Sequence, residues 1–200
     1  MKTVNALDMI RKTTESLVRS GISDAGREAE LIVSSCLLTD RLVLYRDNPP
    51  VSGDDVSKIE EYIMRRSKRE PVQYILGVTE FCGLKIQVGP GVLIPRPETE
   101  LLAEEAIKII SKFDVRMTDC HILDLCTGTG CLALAIAKAF PEAHVYGTDI
   151  SDSAMNFSKA NAELNRIGNA RFLQGSLFEP LEKNIRFDLI VSNPDRKSVV

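Results

Sequence analysis

The sequence predicts an α/β protein: a small all-α domain, then a β-hairpin linker, then a Rossmann-like parallel sheet. Three observations predict it. Apolar residues recur at helical spacing through the first third of the chain. A stretch rich in β-branched and aromatic residues, punctuated by Gly77, Gly83, Gly89 and Gly91, then covers residues 71–96. From residue 97 onward, short apolar runs alternate with helix-forming runs, the order that a parallel sheet with helical crossovers requires. The expected division is 1–70, 71–96 and 97–200.

In the first segment, Asn5 to Ser20 places Ala6, Ile10, Leu17 and Val18 on one helical stripe and stops at Gly21, suited to a left-handed C-cap. Ser23 or Asp24 can cap the next helix, which runs to about Leu38 with Ala29, Ile32, Val33, Cys36 and Leu37 on one side. A short turn follows at Leu42 to Tyr45 and is broken by Asn48, Pro49 and Pro50. Ser52 opens another amphipathic stretch through Ile59, Ile63 and Met64, which ends in the basic run Arg65, Arg66, Lys68, Arg69 before Pro71. That run reads as a solvated helix end favourable to the helix dipole. After the hairpin, a helix is expected from Pro97 to Phe113. Strands and helices then alternate: His121–Leu125, Thr129–Phe140, His144–Thr148, Ser151–Arg166, Ala170–Gln174 and Phe187–Ser192. Such a sheet is expected to be covered on both faces.

Composition narrows the partners. Lys and Arg number 25 against 28 Asp and Glu, a net charge of -3, so there is no electrostatic footprint for a nucleic-acid backbone. Met1 to Asn5 lacks a charged-then-apolar leader pattern, and no apolar run approaches the roughly 20 residues that span a bilayer. A cytoplasmic monomer, bound neither to membrane nor to nucleic acid, is the expectation. The five cysteines are an odd number and form no C-x-x-C pair, so they read as reduced core residues. Cys120, Cys126 and Cys131 match no zinc spacing, and the two histidines do not complete one.

Chemistry concentrates at the strand ends. Ile122-Leu-Asp-Leu-Cys-Thr-Gly-Thr-Gly130 runs an apolar strand into a glycine-rich turn followed by a strong helix former. Gly128 and Gly130 lack a Cβ, so backbone N–H groups and the next helix N-terminus can approach a ligand. The turn is neither the dinucleotide fingerprint nor a P-loop, since no Lys follows the glycines. An ordinary glycine turn is the competing reading. The next strand ends at Asp149, where a carboxylate can accept both ribose hydroxyls from the same crevice; an N-cap on the following helix is the alternative, which Ser151 and Asp152 can also fill. Gln174-Gly-Ser-Leu-Phe178 would bring Ser176 and Leu177 to the adenine side. The last strand ends in Asn193-Pro194, offering a side-chain carbonyl and a backbone carbonyl as two rigidly placed acceptors, though an Asn-Pro turn is also a common strand terminus.

Taken together, Asp124-Leu-Cys-Thr-Gly-Thr-Gly130, Gly147-Thr-Asp149, Gly175-Ser-Leu-Phe-Glu-Pro180 and Ser192-Asn-Pro194 resemble the release factor glutamine methyltransferase family. Two further segments strengthen the likeness: Glu70-Pro-Val-Gln-Tyr-Ile-Leu-Gly77 with Glu80-Phe81, and Val92-Leu-Ile-Pro-Arg-Pro-Glu-Thr-Glu100. The resemblance covers the N-terminal helices through Pro194. It implies a class I methyltransferase fold, S-adenosylmethionine as methyl donor, and methylation of the glutamine in the Gly-Gly-Gln loop of peptide chain release factors, which the helical domain engages. It also implies residue roles. The turn Cys126, Thr127, Gly128, Thr129 and Gly130 would meet the cofactor, Asp149 its ribose and Leu177 its adenine, with Asn193 beside the cofactor too. Asn193 and Pro194 would hold the substrate amide. An amide nitrogen is a poor nucleophile because its lone pair is delocalised, and fixing its N–H donors against acceptors aims it at the methyl.

Two departures from the pattern stand out. Cys126 occupies the place where many members have glycine. The family's Asn-Pro-Pro-Tyr motif gives way after Pro194 to Asp195-Arg-Lys-Ser-Val-Val200. A truncated or frame-shifted product with poor activity is therefore expected, with the strand Phe187–Val191 left as an association-prone edge. Two rival readings are an exocyclic-amine DNA methyltransferase, which faces the same nucleophile problem but needs a basic groove, and a non-catalytic fragment that binds a release factor.

Overall fold

A computed structural model describes residues 4–113 and 116–194, which divide into two compact units, Met1–Leu76 and Gly77–Val200. Residues 195–200, where the family motif breaks off, lie outside the described residues.

The first unit is helical: α1 (Ala6–Arg19), α2 (Ala25–Cys36), α3 (Arg41–Asp47), α4 (Gly53–Ser67) and α5 (Val72–Leu76). Helix α1 ends as Gly21 predicts. Its N–H donates to the Val18 carbonyl at 2.8 Å and the Ile22 N–H to that of Leu17 at 3.1 Å, a Schellman closure with Gly21 at φ 70°. Asp40 caps α3 and Ser52 caps α4, each accepting a backbone N–H from the first turn, from Val43 at 2.9 Å and Asp55 at 3.1 Å. The core comes from single faces of the helices, with Leu17, Ile32, Val33, Leu44 and Ile59 fully buried. Val18 and Met64, assigned above to apolar stripes, are more than half exposed because they fall at the stripe margins. Helix α5 occupies the start of the stretch read as hairpin. Its Val72 and Ile75 are three apart and both buried, a helical pairing too short to register as periodicity.

Within the basic run, Lys68 and Arg69 are exposed as expected, whereas Arg66 is largely covered. Arg66 forms a bidentate pair with Glu28 of α2, its Nε and Nη2 reaching the carboxylate at 2.5 and 3.0 Å, and its side chain is only 17% exposed. Arg65 pairs with Glu70, and Arg69 donates to the Gly21 carbonyl at 3.0 Å. Sequence neighbours alone do not reveal a partner 38 residues away.

The second unit opens with the hairpin β1 (Val78–Phe81) and β2 (Leu84–Gln87), turning at Cys82-Gly83, both at positive φ. Helix α6 (Pro97–Ile110) starts with Pro97 in its first turn. Then follow β3 (His121–Leu125), α7 (Cys131–Ala139), β4 (His144–Asp149), α8 (Asp152–Leu164), β5 (Ala170–Gln174) and β6 (Leu189–Ser192). The four strands form one parallel sheet in the order β5-β4-β3-β6. Helix α7 is apolar on all sides and buried from Cys131 to Ala137. It packs on the face carrying Asp124, whose carboxylate takes the Ala133 N–H. The opposite face is not fully covered among the described residues. There His121 stacks on His144 and Tyr146, with ring centroids 5.0 and 6.0 Å apart, while Ile190 remains 46% exposed and Arg171 is exposed.

Candidate active site

The strand order creates the site. The chain steps from β3 to β4 to β5 in one direction, while β6 pairs on the other side of β3, so the order reverses beside β3. In open α/β sheets the crevice for a ligand lies outside the carboxyl ends of the strands at such a switch point. Leu125 of β3 is in register with Thr148 of β4 and with Ser192 of β6. The next residues, Cys126, Asp149 and Asn193, therefore leave the sheet side by side at one rim.

The turn is built by its own hydrogen bonds. The Thr127 N–H donates to the Thr148 carbonyl at 3.0 Å, the Gly130 N–H to the Thr127 carbonyl at 2.9 Å, and the Gly128 N–H to Asp149 Oδ2 at 2.9 Å. Gly130 sits at φ 78°, and a Cβ there would come within 3.0 Å of Phe172 and Ser158. Gly128, at φ 55°, has nothing within 4 Å of where a Cβ would stand, so its face opens into free space. The cleft at this point is lined by the turn residues Cys126 to Thr129 together with Asp124, Leu93, Thr99 and Asn193.

Asp149 is not the helix cap. Ser151 is, with its hydroxyl accepting the Ala154 N–H at 3.4 Å, while Asp149 Oδ1 accepts the Ser151 N–H at 3.0 Å. Each Asp149 oxygen thus holds one N–H and keeps a lone pair in reserve. Asn193 donates its Nδ2 to Thr99 Oγ1 at 2.7 Å, a bond that does not use its Oδ1 acceptor. Pro194 is exposed at the same rim. Leu177 lies in the loop after β5, at φ 48° and 52% exposed, outside the lining of the cleft.

Buried charge marks a residue the motif contained without an assigned role. Asp124 is 2% exposed, with Oδ2 accepting from Thr127 Oγ1 at 2.6 Å and the Ala133 N–H at 3.3 Å. Desolvation raises its carboxyl to about 7, although these two donors pull the other way. A lone acid inside the apolar strand Ile122–Leu125 was the readable signal. Thr99 was quoted in a matching segment but carries no local signal for its bond to Asn193. The cysteines are all free thiols. Cys36, Cys120 and Cys131 are buried as expected, whereas Cys82 and Cys126 are only half-buried because both sit at turns with positive φ. Burial pushes the Cys131 thiol up to about 12.

Comparison with known proteins matches both units. Residues 8–77 fit the family model described as PrmC N-terminal domain, and residues 117–198 that described as methyltransferase domain. The release factor glutamine methyltransferase of Thermodesulfovibrio yellowstonii is 43% identical over 96% of this chain and 66% of its own length. That of Geobacter sulfurreducens is 41% identical over 89% of this chain and 60% of its own length. The chain belongs to the release factor glutamine methyltransferase family. A third relative of that name, from Fusobacterium nucleatum, is 36% identical over 94% of this chain and 52% of its own length. The chain thus spans between half and two thirds of the curated release factor glutamine methyltransferases it matches.

The cofactor of a class I methyltransferase is S-adenosylmethionine, and the residues at this rim fit it. Gly128 presents an open face where backbone must approach a ligand, Asp149 retains acceptor capacity for ribose hydroxyls, and α7 directs its N-terminus at the cleft.

Proposed function

We propose that this protein transfers a methyl group from S-adenosylmethionine to the side-chain amide of the glutamine in the Gly-Gly-Gln loop of peptide chain release factors. The observation that carries the reading is the side-by-side exit of the glycine turn, Asp149 and Asn193 from β3, β4 and β6 at the switch point. In this reading the turn Cys126–Gly130 cradles the cofactor, Asp149 takes its ribose, Leu177 borders its adenine, and residues 1–70 engage the release factor. When bound, S-adenosylmethionine supplies an electrophilic methyl on a sulfonium. Asn193 Oδ1 and the Pro194 carbonyl accept the two N–H donors of the glutamine amide and hold its nitrogen toward that methyl. Thr99 keeps the Asn193 amide from turning its own donors to the substrate. Held there, the amide nitrogen would take the methyl carbon as the sulfonium leaves as a neutral thioether, and the proton released from the nitrogen would pass to solvent at the open rim.

The test is the intact mass of a release factor, and of its Gly-Gly-Gln peptide, after incubation with the chain at stoichiometric concentration and S-adenosylmethionine. One added methyl on the glutamine is expected, and Asn193→Ala should abolish it. An unchanged mass with cofactor demonstrably bound would contradict the proposal.

A further inference from the structure

Asn161 of α8 is fully buried and has no place in the chemistry above, yet it touches the cofactor turn. Its Oδ1 accepts the Gln87 N–H at 2.6 Å, and its Nδ2 donates to the Gln87 carbonyl at 3.1 Å and to the Thr129 carbonyl at 2.9 Å. One side-chain amide thus pairs both outward main-chain groups of a β2 residue and reaches the glycine turn with its remaining hydrogen. Asn165 repeats the clamp two strand residues away: the Lys85 N–H donates to Oδ1 at 3.2 Å, and Nδ2 donates to the Lys85 carbonyl at 2.8 Å. Its other bond runs to the Asn161 carbonyl at 2.8 Å rather than to the turn. The spacing works because residues four apart on a helix and two apart on a strand edge repeat over similar distances, roughly 6 and 7 Å. Helix α8 therefore stands in for a third strand against the hairpin.

The chain leaving the hairpin is seated on α8 with no slack. A Cβ on Gly89 would lie 2.9 Å from the Phe157 ring, and one on Gly91 2.9 Å from Ser153 Oγ. A few residues later the same segment lines the cleft at Leu93 and Pro95.

We infer that Asn161 is a positioning residue that links the hairpin and its exit segment to the glycine turn, so that hairpin seating and cofactor affinity form one coupled equilibrium. The inference rests on the cofactor reading proposed above. Coupling of this kind is reciprocal. Loosening the hairpin at Asn161 weakens cofactor binding, and cofactor binding tightens the hairpin.

Calorimetric titration with S-adenosylhomocysteine compares the unaltered chain, Asn161→Ala and Asn165→Ala. Asn161→Ala, which removes the clamp on Gln87 together with the bond to the turn, should weaken binding about tenfold, and Asn165→Ala, which loosens the hairpin alone, should weaken it by a smaller factor of about threefold. Hydrogen exchange on the unaltered chain gives a second readout that needs no variant to fold: protection of the Gln87 amide should rise on saturation with S-adenosylhomocysteine. Parental affinity in Asn165→Ala, or unchanged Gln87 protection in the saturated chain, would overturn the coupling while leaving the cofactor reading intact. Failure of the unaltered chain to bind would overturn both.

Discussion

A carboxyl group at 2% exposure inside a parallel sheet is costly when ionised, and Asp124 is held there by two donors on a single oxygen. Its folded value of about 7 stands above the unfolded value of 3.8. Between those values the folded state binds a proton that the unfolded state has lost, so stability falls as pH rises through that window and stays low above it. Asp124→Asn keeps an oxygen for both donors and removes the charge. Without cofactor, the variant should melt higher than the parent at pH 8 and lose that advantage near pH 4; a lower melting temperature at pH 8 would refute this. Thr99→Val should slow methyl transfer about tenfold, the scale of one hydrogen bond, with cofactor affinity unchanged, and Thr99→Ser should restore it. Single-turnover rates decide, and a parental rate for the valine variant would remove Thr99 from its positioning role. Asp149 and Asn193 were legible in the sequence because each ends an apolar run, and a β-α-β order sends all such ends to one rim. Thr99 was not, because its bond to Asn193 spans 94 residues.

At the level of elements, the basic run at the end of α4 shows what local patterning misses. Its charge was readable, but its occupation was not: Arg65, Arg66 and Arg69 are engaged by Glu70, Glu28 and the Gly21 carbonyl. Three of its four cations thereby have partners within the helical unit, and of these Arg66 is the one largely covered. Arg66→Ala leaves Glu28, 13% exposed, without its partner and should cost about 2–3 kcal/mol. Arg65→Ala, at a more exposed pair, should cost clearly less. Urea unfolding of the two variants makes the comparison, and equal losses would mean that the α2–α4 pair contributes no more than a surface contact. The strands and long helices of the second unit were legible because their apolar runs carry the period of a helix or the length of a buried strand. Helix α5 was not, since five residues hold barely one turn of pattern.

For the molecule as a whole, the fold class follows from the alternation after residue 97, whereas the strand order, with β6 on the far side of β3, does not, because alternation alone leaves the side on which each strand adds unspecified. Nor does the partial covering of the sheet, because an apolar strand reads alike whether one face or both are packed. No helix among the described residues is long and apolar enough to cross a membrane. The central claim is that the glycine turn, Asp149 and Asn193 form a single binding rim. Titrating S-adenosylhomocysteine into the nitrogen-15-labelled chain and following backbone amide shifts tests it most directly. Gly128, Gly130, Ser151 and Asn193 should move along one saturating curve. Shifts confined to the opposite end of the strands, around His144 and Gly168, or none at saturating ligand, would contradict it.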